Sequence, residues 1–289
     1  MGSNTIGEVT ILKPGVCTTI QDLGRFGFRD KGVPCAGPMD VNSFLLANRL
    51  LGNEDDCAVL EWGLLPPVLK FSIPTSVSVT GCDVEVFLND QKLGFQKVIQ
   101  VGRGDILRFN KCKNCVYGYV GVVNGFLTQS VLGSRSSFNG ISTEVRVQKN
   151  HILPYDGDHR NVYNKVQFTH TNVAFLDQFI EVYKGPEFDM LSKENQNKIF
   201  DKNFVVSDLI NRMAIQLQTR LENSLSPIVS GPVLPGTVQL TLSGLLMVLM
   251  KDCQTMGGYP RILQLTEEAM DKIAQIPPRE EIRFMLREF

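Results

Sequence analysis

Four segments of the chain concentrate side chains that can hold an anion or a polar substrate. The first is Thr18-Thr19-Ile20-Gln21-Asp22-Leu23-Gly24-Arg25-Phe26-Gly27. Its hydroxyls, amide and Asp/Arg pair stand beside glycines that let backbone approach a ligand closely. The same residues suit a β-turn in which Asp22 caps backbone N–H groups and Arg25 is a surface charge, and local chemistry does not separate the two. The second segment, 34–40, leads into a helix start whose open N–H groups and positive dipole end suit a carboxylate or phosphate. Asp40, as the cap, would itself occupy those donors. The third, 131–137, offers hydroxyls, backbone N–H groups and the Arg135 guanidinium, a set for a carboxylate or phosphoryl group or simply a solvated surface loop. In the fourth, 252–260, Gly257 and Gly258 can turn consecutive N–H donors toward a developing oxyanion while Asp252, Gln254 and Thr255 contact substrate. An ordinary turn accounts for those glycines but not for so many polar side chains.

Other chemistries are missing from the sequence. No phosphate-cradling P-loop, serine-nucleophile elbow, His-Glu-x-x-His or calcium loop occurs. Gly102-Arg103-Gly104 lacks the third glycine of a dinucleotide fingerprint and reads as a hairpin turn. His151, His159 and His170 show no metal-ligand spacing. Cys112-Lys113-Asn114-Cys115 is a lone pair of thiols without the second pair or histidine that a zinc site needs, so a turn with incidental thiols is expected. Cys253 has no histidine near it in sequence to act as a base and reads as a buried bystander.

The elements that must position these segments are mostly short strands. Apolar β-type runs at 77–79, 84–88, 106–109, 117–123 and 245–250 are punctuated by Gly, Asn, Asp and Pro, the texture of sandwiches and barrels. Val84, Val86 and Leu88 share one face of a half-buried strand, and Asn89-Asp90 reads as the turn after it. Helices are few. One is expected over 40–51 with Asp40 as cap and Gly52 as stop, a second over 192–200, and a third over 266–276 with Thr266 as cap. The polar stretch 154–165 is the candidate boundary between two β-rich domains, 1–155 and 165–289.

The chain has 289 residues, 29 Lys+Arg against 30 Asp+Glu, and 43% hydrophobic residues. That is enough apolar material for a sizeable core, and a net charge of −1 supplies no field to gather nucleic acid or an anionic membrane. No apolar run approaches the 18 or so residues of a membrane span, and no secretory signal opens the chain. Seven scattered cysteines read as reduced thiols of a cytoplasmic protein.

Taken together and in order, the segments resemble the family known as allophanate hydrolase subunit 2, biotin-dependent carboxyltransferase, or the C-type subunit of 5-oxoprolinase. Lys13-Pro14-Gly15, Thr18-Thr19, Gln21-Asp22, Gly24-Arg25 and Gly27 follow the family's opening pattern. Gly32–Asp40 corresponds to G-V-P-x-S-G-x-M-D with Ala36 for the usual Ser, Val131–Ser136 to V-L-G-S-R-S, and Asp252–Pro260 to D-x-Q-T-x-G-G-Y-P. The family's D-R-M-G appears as Asn211-Arg212-Met213-Ala214, so an acid is lost while the arginine stays.

The resemblance implies a mainly β protein with a few helices (α+β), two β-rich domains related to cyclophilin-like barrels, and a B-type and probably an A-type partner subunit. It implies the role of the C-type subunit in ATP-dependent hydrolysis of 5-oxoproline to glutamate, with ATP and magnesium in the assembled complex. The alternatives it carries are carboxyl transfer, with biotin on another protein, and a regulatory protein that antagonises a B-type kinase inhibitor. On the hydrolase expectation Asp22, Asp252 and Gln254 are catalytic. Thr19, Gln21, Arg25, Asp40, Ser134, Arg135, Arg212, Thr255, Gly257, Gly258 and Tyr259 bind substrate or phosphate, and no residue binds a resident metal.

Overall fold

A computed structural model describes residues 5–93, 98–110, 114–143, 145–157 and 178–288. The chain divides into two compact units, Met1–Arg25 with Ala36–His170, and Phe26–Cys35 with Thr171–Phe289. The protein is mostly β with three α-helices among the described residues.

The first unit is built from two antiparallel sheets. One runs, in spatial order, through Ile152–Asp156, Ile6–Lys13, Val68–Phe71, Ile106–Phe109, Val86–Leu88 and Gln91–Leu93. The other runs through Val16–Gln21, Val59–Gly63, Tyr117–Val122, Thr75–Gly81 and Val98–Val101. Alternate residues of both sheets share one core, with Val9, Ile11, Leu69 and Phe71 from the first and Leu60, Trp62, Val77, Val79 and Val120 from the second. Trp62 is fully buried and stacks on Phe109 at 5.0 Å between ring centroids.

The outer face of the second sheet is polar yet buried. Helix α1 (Val41–Leu51) lies against the strands Thr75–Gly81 and Tyr117–Val122. Ser78 Oγ donates to Ala47 O and Thr80 Oγ1 to Ser43 O, each at 2.7 Å. The helix begins as expected: Asp40 Oδ1 accepts from Ser43 N at 2.9 Å, and Gly52 closes it with φ of 67°. Asn89 and Asp90, both at positive φ, turn Val86–Leu88 into Gln91–Leu93.

In the second unit seven strands close a barrel in the order Phe179–Lys184, Arg261–Leu265, Thr237–Leu240, Leu246–Leu249, Ala214–Leu217, Phe204–Ile210 and Glu281–Leu286. The closing pair, Phe179–Lys184 with Glu281–Leu286, is parallel. Helix α2 (Lys193–Asp201) is capped by Ser192, and α3 (Glu267–Ala274) by Thr266, whose Oγ1 accepts from Ala269 N at 3.2 Å. Pro277-Pro278 follows the end of α3.

Three expectations are corrected. Pro154 and Tyr155 belong to the strand Ile152–Asp156 and not to a linker; Tyr155 is fully buried, and the strand lies at a sheet edge, where a proline costs no ladder bond. The rest of the expected boundary, from residue 158 onward, lies outside the described residues, as do Cys112, His159 and His170. The turn at Gly102–Gly104 joins Val98–Val101 to Ile106–Phe109, strands of different sheets, so it is not a hairpin. Cys82 is in a disulfide, whereas Cys17, Cys35, Cys57, Cys115 and Cys253 are free; a pairing depends on proximity that only the fold creates.

Candidate functional site

Each unit holds one cluster of the sequence-selected residues. In the first unit the cluster forms on the strand Val16–Gln21, which is the edge of its sheet and leaves backbone groups to satisfy. Ser137 and Val147 satisfy three of them. Ser137 N donates to Ile20 O at 2.8 Å, Ile20 N to Ser137 Oγ at 3.2 Å, and Val147 N to Thr18 O at 2.9 Å.

Asp22, only 8% exposed, ties the two segments together. Its Oδ1 accepts from Gly24 N at 2.9 Å, Ser134 Oγ at 2.5 Å and Ser136 Oγ at 2.7 Å, and its Oδ2 accepts from Arg135 N at 2.5 Å. Four donors around one buried carboxylate leave little lone-pair capacity for a substrate, so Asp22 shapes the Gly-Ser-Arg-Ser loop. Arg25 is 1% exposed and donates to Ser136 O, which corrects the reading of it as a surface charge and puts it out of reach of a solute. Arg135 points elsewhere, donating through Nη1 to Thr128 O.

Beneath the 36–40 loop runs a row of polar residues across four strands, Thr19, Glu61, Tyr119 and Thr80 in register. Glu61 Oε2 accepts from Tyr119 Oη at 2.9 Å and from Met39 N at 2.8 Å, while Tyr119 Oη accepts from Asp40 N at 2.8 Å. Burial and the Glu61 carboxylate push the Tyr119 hydroxyl well above its ordinary value. Gln21 Nε2 donates to Thr19 Oγ1 at 3.0 Å, and its Oε1 is buried without a partner among the described residues. Asp40 caps α1 through Ser43, so its carboxylate already occupies the Ser43 N–H of that helix end. Sequence reading did not select Glu61 or Tyr119; the signal was a carboxylate inside the otherwise apolar run Val59-Leu60-Glu61-Trp62.

In the second unit Arg212 and Asp252 meet directly. Arg212 Nε donates to Asp252 Oδ2 at 2.9 Å and Nη2 to Oδ1 at 2.8 Å, with the backbone bond Asp252 N to Arg212 O at 2.8 Å. The pair is 9% and 14% exposed, so Arg212 is neutralised by Asp252 and is not a spare cation. Asn211 Oδ1 accepts from Met213 N at 2.8 Å and Ala214 N at 3.1 Å, a turn-capping role that an aspartate fills equally well.

The Arg212–Asp252 clamp fixes the start of the loop carrying Gln254 and Thr255, both half-buried. Gly257 pairs with Gly231 in a two-stranded ladder, and a Cβ on it would lie 2.5 Å from Gln239 Nε2. Gly258 is exposed, its carbonyl accepting from Ile228 N at 3.0 Å. Tyr259 presents a 42% exposed side chain while its carbonyl accepts from Gln239 Nε2 at 3.2 Å. Sequence reading also missed the pair Arg261 and Glu187, joined through Nη2 to Oε1 at 2.7 Å and Nε to Oε2 at 2.9 Å. Arg261 holds the Glu187 carboxyl below the usual carboxylate range. Burial pushes the Cys253 thiol up to about 11, consistent with an unreactive bystander.

A two-sheet unit and a seven-stranded barrel unit each carry a clamped polar loop. Residues 31–286 match the model of the family described as carboxyltransferase domain, subdomain A and B, and the chain belongs to that family. Over 284 residues it is 28% identical to the C-type subunit of the 5-oxoprolinase of Escherichia coli K12, covering 95% of this chain and 90% of that protein. A 132-residue stretch, 45% of this chain and 7% of the relative, is 40% identical to urea amidolyase of Lachancea kluyveri. The solved urea amidolyase of Kluyveromyces lactis superposes with a TM-score of 0.87 at 25% identity, covering all of this chain and 19% of that one. Across five solved chains the share spanned is 19–57%.

Proposed function

We propose that the chain is the C-type subunit of an ATP-dependent 5-oxoprolinase that opens the lactam of 5-oxoproline to glutamate together with B-type and A-type partner subunits. The observation that carries this reading is the extent of the likeness to the C-type subunit of 5-oxoprolinase, 95% of this chain against 90% of that protein. An amide carbonyl is a weak electrophile, and ATP with its magnesium supplies the activation. With no P-loop in the sequence, the nucleotide is assigned to a cleft shared with a partner subunit.

This chain's own residues then bind and orient. In the first unit Arg135 is assigned to a substrate anion, with Asp22 positioning its loop; in the second unit Asp252 positions the loop that carries Gln254 and Thr255. The test is glutamate release from 5-oxoproline and ATP by the co-purified subunits, each omitted in turn. The expected result is loss of turnover to background when this chain is left out. Full turnover without it would overturn the reading.

A second reading, carboxyl transfer from biotin borne on another protein, is favoured by the 40% identity to urea amidolyase and by the family's description. A stable assembly of the subunits without lactam turnover that captures a biotinylated carrier would select it. A stable assembly that does neither would point to the regulatory role.

A further inference from the structure

We infer that the cavity beside Arg135 binds the carboxylate of a small substrate with a compact apolar body. The cavity, of about 200 Å³, is lined by Arg135 and Thr128 and by the apolar side chains of Ile20, Leu127 and Val147. It is smaller than the ~300–1,000 Å³ pockets that take drug-sized ligands or nucleotides, so its occupant is a small molecule.

Most hydroxyls of its wall are engaged. Ser137 Oγ accepts from Ile20 N at 3.2 Å, Ser142 Oγ donates to Phe138 O at 3.1 Å, and Thr143 Oγ1 donates to Gln129 Oε1 at 3.3 Å. Two groups are left over. The half-buried Arg135 donates to Thr128 O and forms no ion pair among the described residues, and the Thr128 hydroxyl is buried without a partner among them. A guanidinium against apolar walls is unfavourable until an anion completes it, and an unbonded buried hydroxyl adds to that cost.

One carboxylate answers both, accepting from the guanidinium through one oxygen and from the threonine through the other. A phosphoryl group brings more charge and more acceptor oxygens than these two donors satisfy. The apolar wall then calls for a compact hydrocarbon body, and a saturated five-membered ring meets that requirement. Identifying the ligand with the lactam acid rests on the reading above; the carboxylate site does not.

Titration calorimetry on the purified full chain tests it with three probes: 5-oxoproline, cyclopentanecarboxylate, and 2-pyrrolidinone, which keeps the lactam but lacks the carboxylate. Both acids are expected to bind and the neutral lactam not to. Arg135→Gln is expected to weaken the acids about 10- to 100-fold, the worth of a charge-assisted hydrogen bond, and Thr128→Val by about 5- to 10-fold. Thr128→Val keeps the side-chain volume and, with an unchanged unfolding midpoint, separates lost recognition from lost folding.

Binding of cyclopentanecarboxylate but not 5-oxoproline, with the same dependence on Arg135 and Thr128, would support the site and count against the lactam reading. Acid binding that both variants leave unchanged would overturn the site and leave the lactam reading standing. Absence of binding by either acid would also overturn the site, the lactam reading then being decided by the subunit-omission assay.

Discussion

Three arginines in this chain are candidate anion holders by type, and the structure gives them different fates. Arg25 is buried under the Ser136 carbonyl, Arg212 is spent on Asp252, and Arg135 keeps a guanidinium without a carboxylate partner among the described residues. The acids divide in the same way, since Asp22 and Asp252 both have their oxygens filled by donors of their own unit. Asn211 spends its amide oxygen on the Met213 and Ala214 N–H groups. Asn211→Asp is therefore expected to change turnover of the assembled subunits by less than about twofold and unfolding free energy by less than ~0.5 kcal/mol, the range of a substitution that alters no buried contact. A tenfold change in turnover would show instead that this position meets substrate.

At the level of elements, the site loops are held by strand edges and helix ends. The edge strand Val16–Gln21 is bonded by Ser137 and Val147, and the 36–40 loop is pinned to the second sheet by Glu61 and Tyr119. That sheet tolerates little change in its middle. A Cβ on Gly118 would lie 2.1 Å from Trp62 Cζ2, on a ring locked between core residues. Gly118→Ala is expected to destabilise the first unit by about 3 kcal/mol, the upper range for overpacking a core. Trp62 is the protein's single tryptophan, so its emission during urea unfolding reports this unit directly. An unchanged midpoint would mean that the sheet relaxes around the methyl group.

At the scale of the whole molecule, burial of weak acids sets a limit on alkaline stability. The Cys115 and Cys253 thiols, one in each unit, are pushed up to about 11 by burial, and the Tyr119 hydroxyl is raised further above its ordinary value by the same cause and by Glu61. In the unfolded chain thiols ionise near about 8.5. Between that value and about 11 the native state holds protons that the unfolded state has released, so raising pH favours unfolding. The urea midpoint is expected to fall between about pH 8 and about pH 10.5, and a constant midpoint would contradict the assignment. Glu187 works in the opposite direction: its carboxyl is lowered by Arg261, so its contribution is present above the ordinary carboxylate range and is lost in acid.

The β texture, the three helices, the caps of two of them at Asp40 and Thr266, and the family were legible in the sequence. These depend on local propensity, periodicity and short motifs, which act between residues near one another in the chain. The strand at Ile152–Asp156, the burial of Arg25 and the buried polar row of Glu61 and Tyr119 were not. Each depends on partners that the chain brings in from far away: Asp22 meets Ser134 across 112 residues, and Arg212 meets Asp252 across 40. The sequence by itself determined which side chains can do chemistry. Only the tertiary structure decided which of them are spent on holding the fold, because a carboxylate or guanidinium is free to act only when no nearer donor or acceptor has already claimed it.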